Sequence, residues 1–385
     1  MKSKNKKKKK NEVFYKVFGV TFGAVVLGLS VFTLAYPDSD YSSAEKRYLA
    51  QIPELNVDTL ADGSFMAGLE DYEADQFPFR AAVMQMRAGL DETMGKAISQ
   101  GVTRLDGDHL AEVFEEPSEQ AISAVVNAVN AFSARYPDID MYMLLAPNAI
   151  SVYSDKVAGH VLTDDQNTYI DGIYRGVSGA VTTIDIREAF AANRGAVELY
   201  YGTDHHWTTD GAYLAFTYAA KPLGISASRK YVSGVVNNTF SGTLTSSSGF
   251  SVGKLDDVKV YLPAQELSYT VEWGDGLRAS CYLTEALTGD DPYEVFFGGN
   301  HASMVIKCGA KTGRSLLMFK DSYANCFIPF LIGEYDSITV IDPRYYYEDL
   351  DMLVASSDFT DVLFLYNANT LSTDNALATV LNNEQ

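Results

Sequence analysis

Residues 315–332 read SLLMFKDSYANCFIPFLI, and the order of residue types in this stretch decides the fold. Ser315 to Phe319 is a short, continuous apolar run of the kind that forms a strand covered on both faces. Tyr323 to Ile332 fits an apolar helix. Between them stands Lys320-Asp321-Ser322-Tyr323-Ala324-Asn325. A serine at a strand-to-helix turn lies at the carboxyl edge of a parallel sheet, where open α/β folds place their active sites. Its hydroxyl is exposed there, and the N–H groups that follow can stabilise an oxyanion. The same residues can also be read as a helix N-cap, a role open to Asp321 or Ser322.

The strand–helix pattern repeats on either side. Ser337 to Ile341 (SITVI) and Asp361 to Tyr366 (DVLFLY) read as strands, with a helix over Asp349 to Ala355. Upstream, Met141 to Ala146 (MYMLLA) is a buried strand ended by Pro147-Asn148. Before it, residues 117–135 carry apolar side chains at helical spacing, with Ser118 and Gln120 near the start. Residues 182–186 (TTIDI) read as a strand leading into a helix from about Arg187. Strands alternating with helices predict a mostly parallel sheet covered on both faces. Residues 225–300, with Ser, Thr, Gly and Tyr runs and alternating segments such as Val258 to Leu262, predict a β-rich insertion.

The N-terminus has a different character. Met1 to Glu12 holds seven lysines against one glutamate, so this tail is at +6. The whole chain is at −20, which leaves −26 on the remainder and argues against a nucleic-acid partner. Val17 to Tyr36 is a twenty-residue run without a charge, long enough to span a bilayer core. The expected division is a cytoplasmic basic tail over 1–12, a transmembrane anchor over 13–36, a polar stalk over 37–64 and an extracytoplasmic catalytic domain over 65–385. A cleaved signal peptide ending near Thr33-Leu34-Ala35 is the competing reading, although an ordinary signal h-region is shorter, roughly 7–15 residues. Three cysteines are too few for a disulfide framework. Cys281 with Cys308 is a candidate pair that the sequence leaves open, and Cys326 reads as a small buried hydrophobe.

Thr203-Asp204-His205-His206-Trp207-Thr208 precedes an expected helix over Asp210 to Lys221, with Thr208 or Thr209 as its N-cap. An imidazole can take and return a proton near neutral pH, and a nearby carboxylate fixes its tautomer. The residues alone allow either histidine to be that base, and a capped helix start with solvated histidines is equally consistent with them. In Gly298-Gly299-Asn300-His301, Asn300 could aim its amide at an oxyanion or simply make a turn. Asp204, His205, His206 and His301 are all metal-ligand types. Against a metal, adjacent side chains in an extended segment point to opposite faces. No metal or cofactor is expected.

These residues resemble a known family. Asp204-His205-His206-Trp207 is the motif that names the DHHW protein family, which is similar to the alginate O-acetyltransferase-like branch of SGNH hydrolases. Further landmarks are DQFPFR (Asp75 to Arg80), LLAPN (Leu144 to Asn148), FFGGNH (Phe296 to His301) and ITVIDPRYY (Ile338 to Tyr346). The resemblance implies an SGNH-hydrolase-like three-layer α/β/α fold. It also implies a triad of Ser322 as nucleophile, His206 as general base and Asp204 as its orienter, with Asn300 and the Ser322 backbone as the oxyanion hole. The order differs from ordinary SGNH hydrolases, where the serine comes early and an Asp-x-x-His late. The implied activity is acetyl transfer to a cell-envelope or exported polysaccharide, with a membrane-bound O-acyltransferase as donor partner. Deacetylation or ester hydrolysis on the same fold, and a non-catalytic glycan-binding surface protein, are the alternatives.

Overall fold

The computed structural model describes residues 2–42, 47–105, 107, 109–177, 179–274 and 276–383. The lysine side chains of the basic tail and residues 43–46 of the expected stalk lie outside the described residues. The chain forms two units, Met1–Arg87 and Ala88–Gln385.

The larger unit is built on eight strands: β1 (Asp140–Ala146), β2 (Val181–Thr183), β3 (Tyr269–Trp273), β4 (Gly276–Arg278), β5 (Ser303–Cys308), β6 (Ser315–Lys320), β7 (Ser337–Ile341) and β8 (Asp361–Asn367). Their spatial order is β4-β3-β5-β7-β6-β8-β1-β2. From β7 to β2 every pairing is parallel, whereas β5, β3 and β4 add on antiparallel at the β7 edge. The parallel strands are those with continuous apolar runs, and β8 is buried along its whole length. Such strands need cover on both faces. Phe319 and Phe364 are register partners and stack at 5.3 Å. Phe132 of helix α1 (Glu119–Arg135) meets both rings edge-on, at 5.7 and 6.3 Å, and so covers that face. Ser118 caps α1 by accepting from Ala121 N.

The segment 225–300 does not form one module. Tyr231–Phe240 and Asp256–Pro263 pair as a separate antiparallel ribbon, with register shifts near Asn237. Tyr269–Trp273 and Gly276–Arg278 instead become β3 and β4 of the main sheet. The helix expected over 323–332 is broken into a 3-10 turn, Ser322–Cys326, and one α-turn, Ile328–Leu331. Pro329 is the physical reason, since it lacks the N–H that a continuous helix would use. Cys281 and Cys308 are free thiols rather than a bridge. Cys281 Sγ accepts from Tyr269 Oη at 3.3 Å, and burial pushes its pKa up to about 12, which leaves it inert. Cys326 is likewise buried, as expected of a small apolar filler.

In the smaller unit, one helix runs from Lys2 to Ala35. Its stretch Phe14–Thr33 is long and apolar enough to cross a membrane, by length and composition. Phe18, Val20 and Leu27 are each more than 60% exposed along it, so this apolar surface is not buried within the protein. The polar segment that follows is tied down rather than free. Gln76, buried, accepts from Ser39 N and donates to the carbonyls of Ser39 and Ala50, and Asp75 accepts from Ala50 N.

Candidate active site

Both chemistry-bearing motifs reach the carboxyl end of the parallel strands. Ser322 follows β6, which ends at Lys320. Asp321, not Ser322, is the N-cap, because its carboxylate accepts from Tyr323 N at 2.9 Å. The same buried carboxylate accepts from Asn367 N and Nδ2, at 2.8 and 2.6 Å, which ties the turn to the end of β8. Burial pushes this carboxyl up to about 6. The capping role therefore falls to Asp321, and the Ser322 hydroxyl is left for other partners. The Ser322 N–H makes no hydrogen bond among the described residues.

The Asp204-His205-His206-Trp207 segment enters from the other side, just ahead of helix α2 (Thr209–Ala219), which Thr208 caps. His206 Nε2 lies 2.7 Å from Ser322 Oγ, and its Nδ1 lies 2.5 Å from Asp204 Oδ1. A carboxylate only accepts, so the neutral ring carries its proton on Nδ1 and offers Nε2 to the Ser322 hydroxyl. The arrangement therefore supplies a hydroxyl, a base aimed at it and a buried carboxylate behind the base.

Several side chains hold this geometry. Asp204 Oδ2 accepts from Thr243 N at 2.8 Å and Thr243 Oγ1 at 3.0 Å. Asp256 accepts from Gly202 N, Thr203 N and Thr203 Oγ1, which pins the loop before Asp204. Tyr293 stacks on the His206 ring at 4.1 Å and donates to the Ser322 carbonyl at 3.1 Å. Trp207 Nε1 donates to the Tyr323 carbonyl at 2.8 Å, and Tyr323 Oη donates to the His205 carbonyl. The two motifs thus brace each other. Of these residues, Thr243, Asp256 and Tyr293 carried no sequence signal. They reach the site by chain folding, and Tyr293 is one of 25 tyrosines. Gly242 was also missed; a Cβ there would sit 2.1 Å from that of Asp204, so only glycine allows this approach.

The Gly-Gly-Asn-His motif divides in two. Phe297, Gly298 and Gly299 all have positive φ, so it does make a turn. Asn300 Oδ1 accepts from Lys320 Nζ at 2.6 Å and from Asn325 Nδ2 at 3.2 Å. A lysine only donates, so it holds the amide oxygen towards itself, and Asn300 Nδ2 has no partner among the described residues. Lys320 is buried and also lies 3.2 Å from Asp342, which in turn pairs with Arg344. Burial pulls the Lys320 ammonium below the usual lysine range, with the Asp342 charge opposing it. His301 stays apart from Asp204. Its Nε2 meets the Phe297 carbonyl at 2.8 Å, and its ring stacks on Trp273 at 4.6 Å.

The adjacency argument against a metal fails in one respect. Residues 202–206 run through a bend, so the rings of His205 and His206 lie together at 3.9 Å. Asp204, His205 and His206 bring one ligand-type atom each within 4.8 Å of one another. Both Nδ1 atoms are nevertheless engaged, that of His206 by Asp204 and that of His205 by Thr243 Oγ1 at 2.7 Å. An ion bound through them would have to displace those hydrogen bonds.

Comparison with known proteins bears on the fold that carries this site. Residues 107–252 match the family described as ALGX, the SGNH hydrolase-like domain of the acetyltransferase AlgX. No curated protein matches the chain. Among solved structures, a DHHW family protein from Eubacterium siraeum is 23% identical, with a TM-score of 0.64 over 74% of this chain and 96% of that one. Bacillus cereus PatB1, solved with a sulfonyl adduct, is 21% identical, with a TM-score of 0.61 over 72% of this chain and 97% of its own. At these identities the structural likeness is one of fold. The chain thus has an SGNH hydrolase-like fold with a mixed sheet, and within that fold it resembles the DHHW family and the AlgX-type acetyltransferase domain.

Proposed function

We propose that this protein is a serine-dependent O-acetyltransferase acting on a polysaccharide outside the cytoplasm, held at the membrane by its N-terminal helix. The observation that carries the reading is the hydrogen-bonded line from Ser322 Oγ through His206 to Asp204. The match to an acetyltransferase domain over residues 107–252 supports acetyl as the group, and a glycan acceptor is what the family resemblance implies.

In the first half-reaction, His206 Nε2 takes the Ser322 proton while Oγ bonds to the acyl carbon. The donor's C–O bond then breaks, and its oxygen leaves with the proton from His206. The Ser322 N–H, with Asn300 Nδ2 as second donor, is the proposed oxyanion hole. In the second half-reaction, a sugar hydroxyl gives its proton to His206 and bonds to the acyl carbon. Ser322 then leaves and recovers the proton. Asp204 stays ionised and stabilises the imidazolium at both stages. The exposed apolar helix supports a tether, and a tether suits an acetyl donor delivered by a membrane-bound partner.

The test uses the full chain in detergent with p-nitrophenyl acetate, with and without oligosaccharide. Intact-mass analysis of a quenched reaction should show one acetyl on a peptide containing Ser322. A phenylmethylsulfonyl adduct should map to the same residue and abolish turnover. Ser322→Ala should release p-nitrophenol at least roughly a thousandfold more slowly. Undiminished release by that variant would remove Ser322 as nucleophile. Acetyl appearing as acetate alone, whatever the oligosaccharide, would make the protein an esterase.

A further inference from the structure

We infer that His205 selects the acyl acceptor: its Nε2 takes a hydrogen bond from a second hydroxyl, adjacent to the one that receives the acyl group, so the site favours a vicinal diol. The inference rests on the acyl-serine reading above and names the acceptor chemistry of that same site.

The argument begins with Thr243, whose hydroxyl has one proton and two neighbours. It lies 3.0 Å from Asp204 Oδ2 and 2.7 Å from His205 Nδ1. A carboxylate oxygen can only accept, so the Thr243 proton goes to Asp204. Placed the other way, two oxygen lone pairs would face each other at 3.0 Å beside a buried charge. Thr243 Oγ1 must therefore accept from His205, which places the imidazole proton on Nδ1. In the neutral ring this leaves Nε2 with a lone pair and no proton. Three groups thus set the tautomer of a residue that carries no role in the proposed acyl transfer.

The position of the ring gives that lone pair its use. The His205 ring lies beside that of His206, with centroids 3.9 Å apart and a tilt of 35°. Both Nδ1 atoms lie against Asp204 Oδ1, at 3.6 Å for His205 and 2.5 Å for His206. Nε2 is then the other nitrogen of each ring; that of His206 meets Ser322 Oγ, while that of His205 has no partner among the described residues. The His205 side chain is 24% exposed, against 7% for His206, so an incoming molecule can reach it. Two acceptor nitrogens on neighbouring rings, with centroids 3.9 Å apart, suit two hydroxyls on neighbouring carbons. One hydroxyl gives its proton to His206 and attacks, while the other donates to His205 and orients the ring. Water has no second hydroxyl on a rigid frame, so it gains nothing comparable. His205 would in this way bias the acyl-enzyme towards transfer over hydrolysis, as a specificity-determining contact.

Asparagine and glutamine separate the two nitrogens of histidine, since the asparagine amide reaches the Nδ1 position and the glutamine amide the Nε2 position. The experiment takes the full chain in detergent micelles with p-nitrophenyl acetate as donor. It measures acetylated product against free acetate for cyclohexanol and for vicinal cyclohexanediol at equal hydroxyl concentration. A single hydrogen bond predicts a roughly three- to tenfold preference for the diol in the unaltered protein. His205→Asn should lose that preference, whereas His205→Gln should retain most of it. Equal partitioning to both alcohols in the unaltered protein, or equal loss in both variants, would overturn the inference. So would a full diol preference in His205→Asn. Failure of the acyl-serine reading shows elsewhere, as undiminished p-nitrophenol release by Ser322→Ala with no alcohol present.

Discussion

Asp204 accepts from the His206 ring, the His206 backbone and both donors of Thr243, and it is 3% exposed. Substituting asparagine keeps its size but presents an N–H where only acceptance is possible, which favours the wrong imidazole tautomer. Asp204→Asn should therefore lower the rate of acetyl release by about three to four orders of magnitude with little change in melting temperature. A loss below tenfold would mean that His206 does not need this carboxylate. Thr208 and Ser118 stand where the capping pattern puts them, and Asp204, His206 and Ser322 are named by two short motifs. The choice of His206 over His205 is different. It depends on which ring meets Ser322, and periodicity says nothing of that.

At the scale of elements, two loops shape the site. The turn at Gly242-Thr243 closes on Asp204 so tightly that a methyl group would meet its Cβ at 2.1 Å. Gly242→Ala should displace Asp204 or the turn and lower activity by about a hundredfold, since shifts near 1 Å cost that much. Activity within threefold of the parent would show that the turn does not position Asp204. The loop at 296–301 is held by His301, whose pKa burial lowers, with the Phe297 carbonyl opposing. The unfolded chain then binds a proton near pH 6.5 before the folded one does, so this contribution is present above that pH and lost as pH falls towards the folded value. The urea midpoint of the parent should drop more between pH 8 and pH 5 than that of His301→Phe, which keeps the stack on Trp273. Parallel curves for the two proteins would refute the assignment.

Across the whole molecule, the helix Lys2–Ala35 is the feature with the largest consequence for location. No residue of its apolar stretch Phe14–Thr33 is buried, and water disfavours such a surface whereas a bilayer accepts it. Expressed in a bacterial host, the protein should stay with the membrane pellet through alkaline carbonate washing and come free only in detergent. A soluble product with a mass lacking the first thirty-five or so residues would instead identify a cleaved signal. The β-rich region shows what lay beyond reading from local pattern. Alternating short segments predict strands but not partners, and here Tyr231–Phe240 and Asp256–Pro263 pair with each other while Tyr269–Trp273 and Gly276–Arg278 extend the main sheet.

Properties set by neighbours along the chain were legible in the sequence alone. These are the strand runs, the caps, the apolar helix near the N-terminus, and the serine and the Asp-His pair held in short motifs. Each depends on periodicity or on hydrogen bonds that reach a few residues. Tertiary structure alone decided what depends on distant segments meeting. It put Thr243 on Asp204, Tyr293 on the His206 ring and Lys320 on Asn300, and it left Cys281 and Cys308 unpaired. The same folding brought the rings of two adjacent histidines together through a bend, where an extended backbone would have sent them to opposite faces.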